Sequence, residues 1–266
     1  MGRFSNKSVL VTAGGSGIGE ATCEAFVREG ARLMIADINA ESGGAVAARL
    51  RAAGGDVHFV RADVTSEEEV ERLVSDTVSR LGGLQIAANV VGLAHAESIG
   101  PMIHESTAYG WDQTIAGTLR SVFLCSKHEI AHMIGHGGGA IVNVSSCAGF
   151  RYIPESGAAY ASAKAAVAHF SKFAALSYAQ YGIRVNSLAP GVTVTGAFPY
   201  HAEATYPELS PEDALKKYID VVTARHAIKR GVKPGEQANA ILWLCSDEAE
   251  MVTGHIMSVD GGLAAG

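Results

Sequence analysis

The sequence predicts an α/β fold: a doubly wound parallel sheet of about seven strands with helices on both faces. Two observations predict it. Short apolar or β-branched runs alternate with longer helical patterns, and no internal repeat, low-complexity tract or linker divides residues 1–266, so a single domain is expected. Such alternation is typical of parallel strands joined by helices. The predicted strands are 9–12, 33–37, 57–60, 84–89, 140–145, 183–188 and 256–259.

One connecting helix can be read in detail. Between the third and fourth strands, residues 67–81 have an apolar stripe at helical spacing, and either Thr65 or Ser66 is available as its N-cap before three glutamates. By contrast, residues 192–228 break the alternation with Pro199, Pro207 and Pro211. Long irregular insertions usually serve as lids or binding loops, so a substrate lid is expected here.

Composition restricts the function classes. With 48% hydrophobic residues and 31 glycines, the chain can bury a large core and make many tight turns. A net charge of -6 does not favour nucleic acid or an anionic membrane as partner, and no apolar run is long enough to span a bilayer. The four scattered cysteines and the lack of an N-terminal leader predict a cytoplasmic protein with reduced thiols.

The first strand runs into a glycine-rich turn, "TAGGSGIGEATCEAF", at residues 12–26. Glycines let the backbone turn sharply and approach a pyrophosphate, which the N-terminus of the following helix can hold. Asp37 closes the second strand, where a carboxylate can accept hydrogen bonds from ribose hydroxyls. An aspartate repels a 2′-phosphate, and neither Ile38 nor Asn39 supplies a cation. The pattern therefore predicts a Rossmann-type dinucleotide site that prefers NAD to NADP.

"YASAK" places Tyr160 and Lys164 four residues apart, so their side chains lie on one helix face. Taken alone, the pair is typical of a core tyrosine beside a lysine that extends to solvent. Together with the glycine turn and Asp37, it indicates acid/base chemistry next to a nicotinamide.

The ordered motifs resemble those of the short-chain dehydrogenase/reductases along nearly the whole chain. They are "TAGGSGIG" (12–19), "ADVT" (62–65), "NVVG" (89–92), "IVNVSSCAG" (141–149), "YASAK" (160–164), "LAPGVTVT" (188–195) and "VDGG" (259–262). The chain departs from the family pattern at Ala13, where a glycine is usual, at Val90 and Val91, and at Thr118, where the family has a catalytic asparagine.

The resemblance implies a role for each matching residue. Tyr160 is the acid/base, Lys164 lowers its pKa and holds the nicotinamide ribose, and Ser146 binds the substrate oxygen, with Ser145 as the adjacent alternative. Thr118 stands in the proton relay. The residues implied in NAD binding are Gly14, Ser16, Gly17, Ile18, Gly19, Asp37, Ile38, Asp63, Val64, Asn89, Gly92, Tyr160, Lys164, Pro190, Gly191, Val192, Thr193 and Thr195.

Thr118 raises a specific hypothesis about that relay. The family asparagine marks a helix kink whose backbone carbonyl holds a water, and a threonine keeps the carbonyl. Its hydroxyl can bond back to the preceding helical turn and bend the helix. The relay is therefore expected to persist in altered form, with a lower rate or a shifted pH dependence.

A second motif competes with this interpretation. "HEIAH" contains His128, Glu129 and His132 in the H-E-x-x-H spacing of zinc peptidases. The third ligand position of one such class falls on Gly138, although Glu155 lies at a spacing that other classes use. We interpret the match as a coincidence on a solvent-facing or interface-facing helix, and no metal is expected.

The expected substrate is a small molecule: a bulky, ring-containing apolar secondary alcohol, steroid-like or otherwise cyclic, and its ketone. The walls of its pocket would come from lid residues, with Gly196 as a hinge and Arg151 and Tyr152 at the rim. The wall candidates are Phe198, Tyr200, Tyr206 and Leu209. The alternatives are an acyl-thioester ketoreductase and a catalytically weak nicotinamide-binding sensor. The resemblance also implies a homotetramer formed through the helices after the fourth and fifth strands.

Overall fold

The computed structural model describes residues 2–98, 102–196 and 198–265, apart from the side chains of Pro154, Tyr200, His201 and Ala204. Seven parallel strands form one sheet in the order β3-β2-β1-β4-β5-β6-β7. The strands are β1 (Ser8–Thr12), β2 (Arg32–Asp37), β3 (Val57–Arg61), β4 (Ile86–Asn89), β5 (Gly139–Val144), β6 (Ile183–Pro190) and β7 (Ile256–Val259). The predicted fold class is confirmed.

Helices cover both faces of this sheet. They are α1 (Gly17–Arg28), α2 (Ala40–Ala52), α3 (Glu67–Leu81), α4 (Ala108–Ile115), α5 (Ser121–Ile134), α6 (Ala158–Tyr178), α7 (Phe198–Thr205), α8 (Pro211–Thr223) and α9 (Pro234–Cys245). Residues of α1, α2 and α9 pack with one face of the sheet, and those of α3, α5 and α6 with the other. In the described part of the chain, no helix is long and apolar enough to cross a membrane.

The predicted helix 67–81 is confirmed as α3, and Ser66 is its N-cap because its hydroxyl accepts a hydrogen bond from the backbone N–H of Glu69. The apolar stripe lies in the core, where Val70 and Leu73 are fully buried. The segment 192–228 is more regular than expected, since α7 and α8 occupy much of it. Ser210 caps α8 and Pro211 begins it, which is the position where a helix tolerates proline.

A polar row crosses the α5 side of the sheet near the carboxyl ends of its central strands. Thr12, Asn89, Asn143 and Ser187 are paired in register on β1, β4, β5 and β6, and all four are buried. Because the register aligns them, their side chains lie on the same face. This row separates the apolar core from the carboxyl edge of the sheet, where the candidate site is located.

Candidate active site

The turn between β1 and α1 forms a cradle of backbone. A Cβ at Gly19 would lie 1.9 Å from the carbonyl oxygen of Ala13, and Gly17 has a φ of +56°. Ser16 precedes the helix without capping it through its side chain, so the N–H groups of the first turn remain available to an anion. Ala13 has a φ of 52°, a conformation that costs an alanine about 1–2 kcal/mol and that the family glycine would adopt freely.

Asp37 lies beside this cradle at the end of β2. Its Oδ2 accepts a hydrogen bond of 2.8 Å from the N–H of Gly15, and its Oδ1 accepts one of 2.9 Å from the N–H of Asn39. Ile38 is exposed next to it. The carboxylate thus holds the glycine turn and stands where the second strand reaches the edge of the sheet.

The residues after β3 and β4 play different local roles. Asp63 accepts hydrogen bonds from the N–H and hydroxyl of Thr65, which fixes the turn before α3, and Val64 is buried. Asn89 is wholly buried below the site. At Gly92, a Cβ would lie 2.5 Å from the Nζ of Lys164, so any other residue there would have to displace the lysine head.

The adjacent serines face different surroundings. The Ser145 hydroxyl is buried, donates to the carbonyl of Leu188 at 2.9 Å and accepts from the Ser187 hydroxyl. The Ser146 hydroxyl is partly exposed and hydrogen-bonded to the phenol of Tyr160. Ser146 is therefore the serine that can reach a substrate oxygen, and Ser145 braces the end of β5.

Tyr160 and Lys164 lie on one face of α6, and the Nζ of Lys164 is 5.6 Å from the centre of the Tyr160 ring. The lysine head is buried and donates to the carbonyls of Val91 at 3.3 Å and Val144 at 2.7 Å. Burial lowers the pKa of Lys164 to about 7. The alternative prediction, in which the lysine extends to solvent, is therefore wrong.

The pKa of Tyr160 differs from the expectation. Burial raises this pKa, and only the hydrogen bond from Ser146 opposes the rise. The expected lowering by the lysine ammonium is wrong for the chain alone, because the ammonium is itself driven towards its neutral form and is bound to two carbonyls. The lowering of the Tyr160 pKa that proton transfer requires would have to come from a positive charge at the nicotinamide position.

Thr118 lies in a π-helical turn, Ala116–Arg120, between α4 and α5. Such turns are rare and frequent at functional sites. The Thr118 hydroxyl donates to the carbonyl of Leu93 at 2.8 Å and accepts from the Leu93 N–H at 3.2 Å. The expected bond back to the preceding helical turn is therefore wrong: Thr118 lies in a π-helical turn, and its side chain anchors the loop after β4.

A cleft of about 450 Å³ brings most of the predicted residues together. Its predicted lining residues are Ser16, Gly17, Ile18, Gly19, Gly92, Ser146, Tyr160, Lys164, Pro190, Gly191, Thr193 and Thr195. Ser145, the alternative serine, and Gly196, the predicted hinge, also line it, as do Ala13, Val90 and Val144, motif residues for which no role was predicted. The predicted residues outside this lining are Gly14, Asp37, Ile38, Asp63, Val64, Asn89, Thr118 and Val192.

An apolar chamber of about 230 Å³ lies under the lid, lined mainly by Ile153, Val192, Phe198, Tyr218, Val222 and Leu263. Val192 stands between two residues of the larger cleft, so the two spaces share the turn after β6. The Phe198 and Tyr218 rings meet edge to face at 5.5 Å. An ion pair of 3.7 Å joins Arg225 of the lid to Glu155 of the body.

The other lid predictions have different outcomes. Tyr206 is covered by Lys217, whose Nζ lies 4.3 Å from the ring centre, and neither Tyr206 nor Leu209 is among the chamber's lining residues. The side chain of Tyr200 lies outside the described residues. At the rim, Arg151 donates to the carbonyl of Leu263 at 2.8 Å, and Tyr152 is 84% exposed.

The H-E-x-x-H residues point in different directions. Glu129 is fully buried and accepts from the side-chain amide of Asn89, so the prediction of an outward-facing segment is wrong for this residue. His128 lies 3.6 Å from Glu67, and the His132 ring stacks on His136. Within the described ranges, no group of three or more His, Cys, Asp or Glu residues is arranged to hold a metal.

Comparisons with known proteins agree with this geometry. A family model described as enoyl-(acyl carrier protein) reductase matches residues 12–264. The chain is 39% identical over 266 residues to 2,5-dichloro-2,5-cyclohexadiene-1,4-diol dehydrogenase of Sphingobium indicum, covering 100% of both chains. It is 36% identical to a 3beta-hydroxysteroid dehydrogenase of Mediterraneibacter gnavus, covering 98% of this chain and 96% of that one.

Among solved structures, levodione reductase superposes with a TM-score of 0.89 at 32% identity, covering 98% of this chain and 99% of that one. A glycine-rich turn beside a serine, tyrosine and lysine at the carboxyl edge of a doubly wound sheet is typical of oxidoreductases that use a nicotinamide cofactor. The chain belongs to the short-chain dehydrogenase/reductase family. It is an enzyme that acts on CH–OH groups.

Proposed function

We propose that this enzyme uses NAD(H) to interconvert an apolar cyclic secondary alcohol and its ketone. The observation that carries the proposal is the meeting of Ser146, Tyr160 and Lys164 at one cleft, with the glycine cradle forming the same cleft. The shared turn at Val192 supports a substrate that enters from the apolar chamber.

Each catalytic residue has a defined task in this proposal. The Ser146 hydroxyl donates to the substrate oxygen and orients it. The Tyr160 phenol takes the hydroxyl proton during oxidation and returns it during reduction. Lys164, fixed by the carbonyls of Val91 and Val144, holds a positive charge near the phenol when it is protonated. Bound NAD would accept the hydride and contribute the positive charge of its oxidised ring.

The residues present fit NAD. The close approach permitted at Gly17 and Gly19 and the uncapped start of α1 suit a pyrophosphate. Asp37 suits the two ribose hydroxyls of the adenosine half, and its charge opposes the 2′-phosphate of NADP. The same argument disfavours the alternative of an NADPH-dependent acyl-thioester ketoreductase.

The chamber also restricts substrate size. Its volume of about 230 Å³ is below the roughly 300–1,000 Å³ of pockets that hold drug-sized ligands. Apolar side chains dominate its lining, and its charged residues, Glu155 and Arg225, are paired with each other. We therefore favour a single six-membered ring with small substituents over a steroid, which would require the lid to move outward.

The expected assembly is a homotetramer built through the α5 and α6 region. Phe123 on α5 and Phe173 and Leu176 on α6 are exposed, with Leu176 at 82%. Large apolar groups on neighbouring helices favour contact with another copy of the chain. The four cysteines are buried and free, which supports the proposed cytoplasmic location.

The test is a panel of cyclohexanols, cyclohexanediols and hydroxysteroids with NAD or NADP, followed by NADH or NADPH absorbance at 340 nm. We expect turnover of one-ring alcohols with NAD, and a loss of roughly 10²- to 10⁴-fold in Tyr160→Phe. Steroids turned over better than single rings would refute the size argument. NAD binding without Tyr160-dependent turnover of any alcohol would favour the sensor alternative.

A further inference from the structure

We propose that Glu129 is a positioning residue for the active site: acting through Asn89 and Asn143, its buried carboxyl group fixes the strand ends whose carbonyls hold Lys164. The proposal rests on the function proposed for Lys164. Glu129 belongs to the H-E-x-x-H motif and takes no direct part in the proposed reaction. The proposal gives it a structural role in positioning Lys164.

The lysine depends on two strand ends. Its Nζ donates to the carbonyl of Val91, two residues after the last residue of β4, and to the carbonyl of Val144, the last residue of β5. The position of the ammonium is therefore set by the spacing between these two chain segments. Whatever holds β4 and β5 together at their carboxyl ends also positions Lys164.

A buried side-chain network joins the same two ends. Asn89 closes β4, and its amide Nδ2 donates to the Oδ1 of Asn143 on β5 at 3.0 Å and to the Oε2 of Glu129 on α5 at 2.9 Å. The Asn143 amide then donates to the hydroxyl of Ser171 on α6 at 3.1 Å. The path thus connects α5, both strands and the helix that carries Lys164.

Burial favours the neutral form of Glu129 in this network. It is fully buried, and its Oε1 has no hydrogen-bond partner in the described part of the chain. Burial raises its pKa to about 7, with the Asn89 hydrogen bond acting against the rise. An unpaired buried carboxylate is costly, so the neutral carboxyl group is favoured as the acceptor for Asn89.

The titratable side chains around Glu129 offer its carboxyl group no charged partner among the residues that the structure describes. Cys125, one turn earlier on α5, is buried, and burial together with Glu129 raises its pKa well above the usual value. His128 and His132, on the same helix, are engaged with Glu67 and His136 respectively. From the facing strands and α6, the contacts of the network are the neutral side chains of Asn89, Asn143 and Ser171.

The experiment measures Lys164 directly. Protein labelled with ¹³C at lysine Cε is titrated by NMR in the wild type, Glu129→Gln, Glu129→Leu and Thr77→Val, with Lys164→Met used only to assign the signal. Thr77 is the matched control because it is equally buried and its hydroxyl donates within α3, to the Leu73 carbonyl, away from the Glu129 network. The kcat and KM with NAD and cyclohexanol are measured in parallel.

We expect Glu129→Gln to match the wild type, because the amide preserves the shape and an acceptor for Asn89. In Glu129→Leu the Lys164 pKa should fall by about one unit, because the carbonyls lose their fixed spacing, and kcat should fall roughly ten- to a hundredfold with little change in KM. Thr77→Val should leave the titration and kcat unchanged. If Glu129→Leu is insoluble, Asn89→Ser, which cuts the same path, is held to the same criteria.

Two results would overturn the proposal. One is a Lys164 titration in Glu129→Leu that equals that of Thr77→Val, since a merely structural role would lower only the melting temperature. The other is a Gln variant as impaired as the Leu variant. If the wild type oxidises no alcohol, the proposed function fails, while the lysine titration still decides the positioning role.

Discussion

The carboxyl edge of the sheet and the lid are held by different kinds of contact. At the edge, polar side chains bind backbone: Lys164 donates to two carbonyls, and Asp37 accepts from the N–H of Gly15. In the lid, backbone hydrogen bonds hold the two ends, as where the N–H of Ile228 donates to the carbonyl of Gly261 at 2.9 Å, whereas an ion pair between two exposed side chains, Arg225 and Glu155, links its middle to the body.

This difference explains why the sheet edge can keep a fixed geometry while the lid can change. Contacts to the backbone of buried strands stay in place as long as the sheet is folded. Pairs of exposed side chains contribute little free energy and can be exchanged without disturbing the core. We infer that the sheet edge determines the chemistry and the lid determines which molecule is accepted.

Replacing Lys164 by Met should have the largest effect. We expect kcat to fall roughly 10²- to 10⁴-fold, because the group that supports Tyr160 is lost. The folded-state pKa of Lys164 is lowered from 10.5 to about 7, so wild-type stability rises as the pH increases from 7 towards 10.5. Lys164→Met should lack this rise, which denaturant unfolding at several pH values would measure. Parallel stability profiles would contradict the buried lysine.

Changing Asp37 to Ser tests the cofactor side of the same edge. We expect the ratio of kcat/KM for NAD to that for NADP to fall roughly 10- to 100-fold, because charge-assisted hydrogen bonds to ribose are lost and repulsion of the 2′-phosphate ends. The measurement is steady-state kinetics with each cofactor. Asp56→Ser, an aspartate in the loop before β3, is the control, and an unchanged ratio in Asp37→Ser would refute the NAD assignment.

A lid substitution should produce a different pattern. Tyr218→Ala opens the chamber wall opposite Phe198, so we expect KM for the cyclic alcohol to rise about tenfold with a much smaller change in kcat. Kinetics on a one-ring alcohol and a larger ring system would also test whether the enlarged chamber accepts bulkier substrates. A drop in kcat with unchanged KM would place Tyr218 in the chemistry instead.

Thr118→Asn tests the junction between the two regions. Asparagine restores the family residue but loses the two-way hydrogen bond of the threonine hydroxyl with Leu93. We expect a several-fold change in rate, roughly 1 kcal/mol in barrier, and a shifted pH profile. The kcat against pH curve is the measurement. If both the rate and the profile are unchanged, position 118 does not contribute to the relay.

The smallest effect is expected at the lid ion pair. Glu155→Gln removes a pair whose side chains are 66% and 47% exposed, so the change in KM should stay within about twofold. Raising the salt concentration should have a similarly small effect on the wild type. A tenfold change in either experiment would show that this pair controls the lid.

The sequence predicted the strands and one helix boundary well because their signals are local. Runs such as "VLVT" and "LMIAD" end at turn residues, and the N-cap of α3 is Ser66, one of the two residues that the sequence offered. The lid helices were not predicted. The prolines of this segment suggested irregular structure, whereas Pro211 occupies the first position of α8, where a helix tolerates proline. The direction of a side chain could not be predicted from the local pattern either, since nothing in "HEIAH" indicates that Glu129 points at the sheet.

By itself, the sequence determined the class of the protein, since motif residues at ordered spacings identify the family and predict a nicotinamide site with a catalytic serine, tyrosine and lysine. Only the tertiary structure decided how those groups are held. Register between β4 and β5 brings Asn89 to Asn143, and burial changes the pKa values of Lys164 and Tyr160. Both effects depend on residues far apart in the chain, and a linear pattern carries no measure of burial or of spacing between strands.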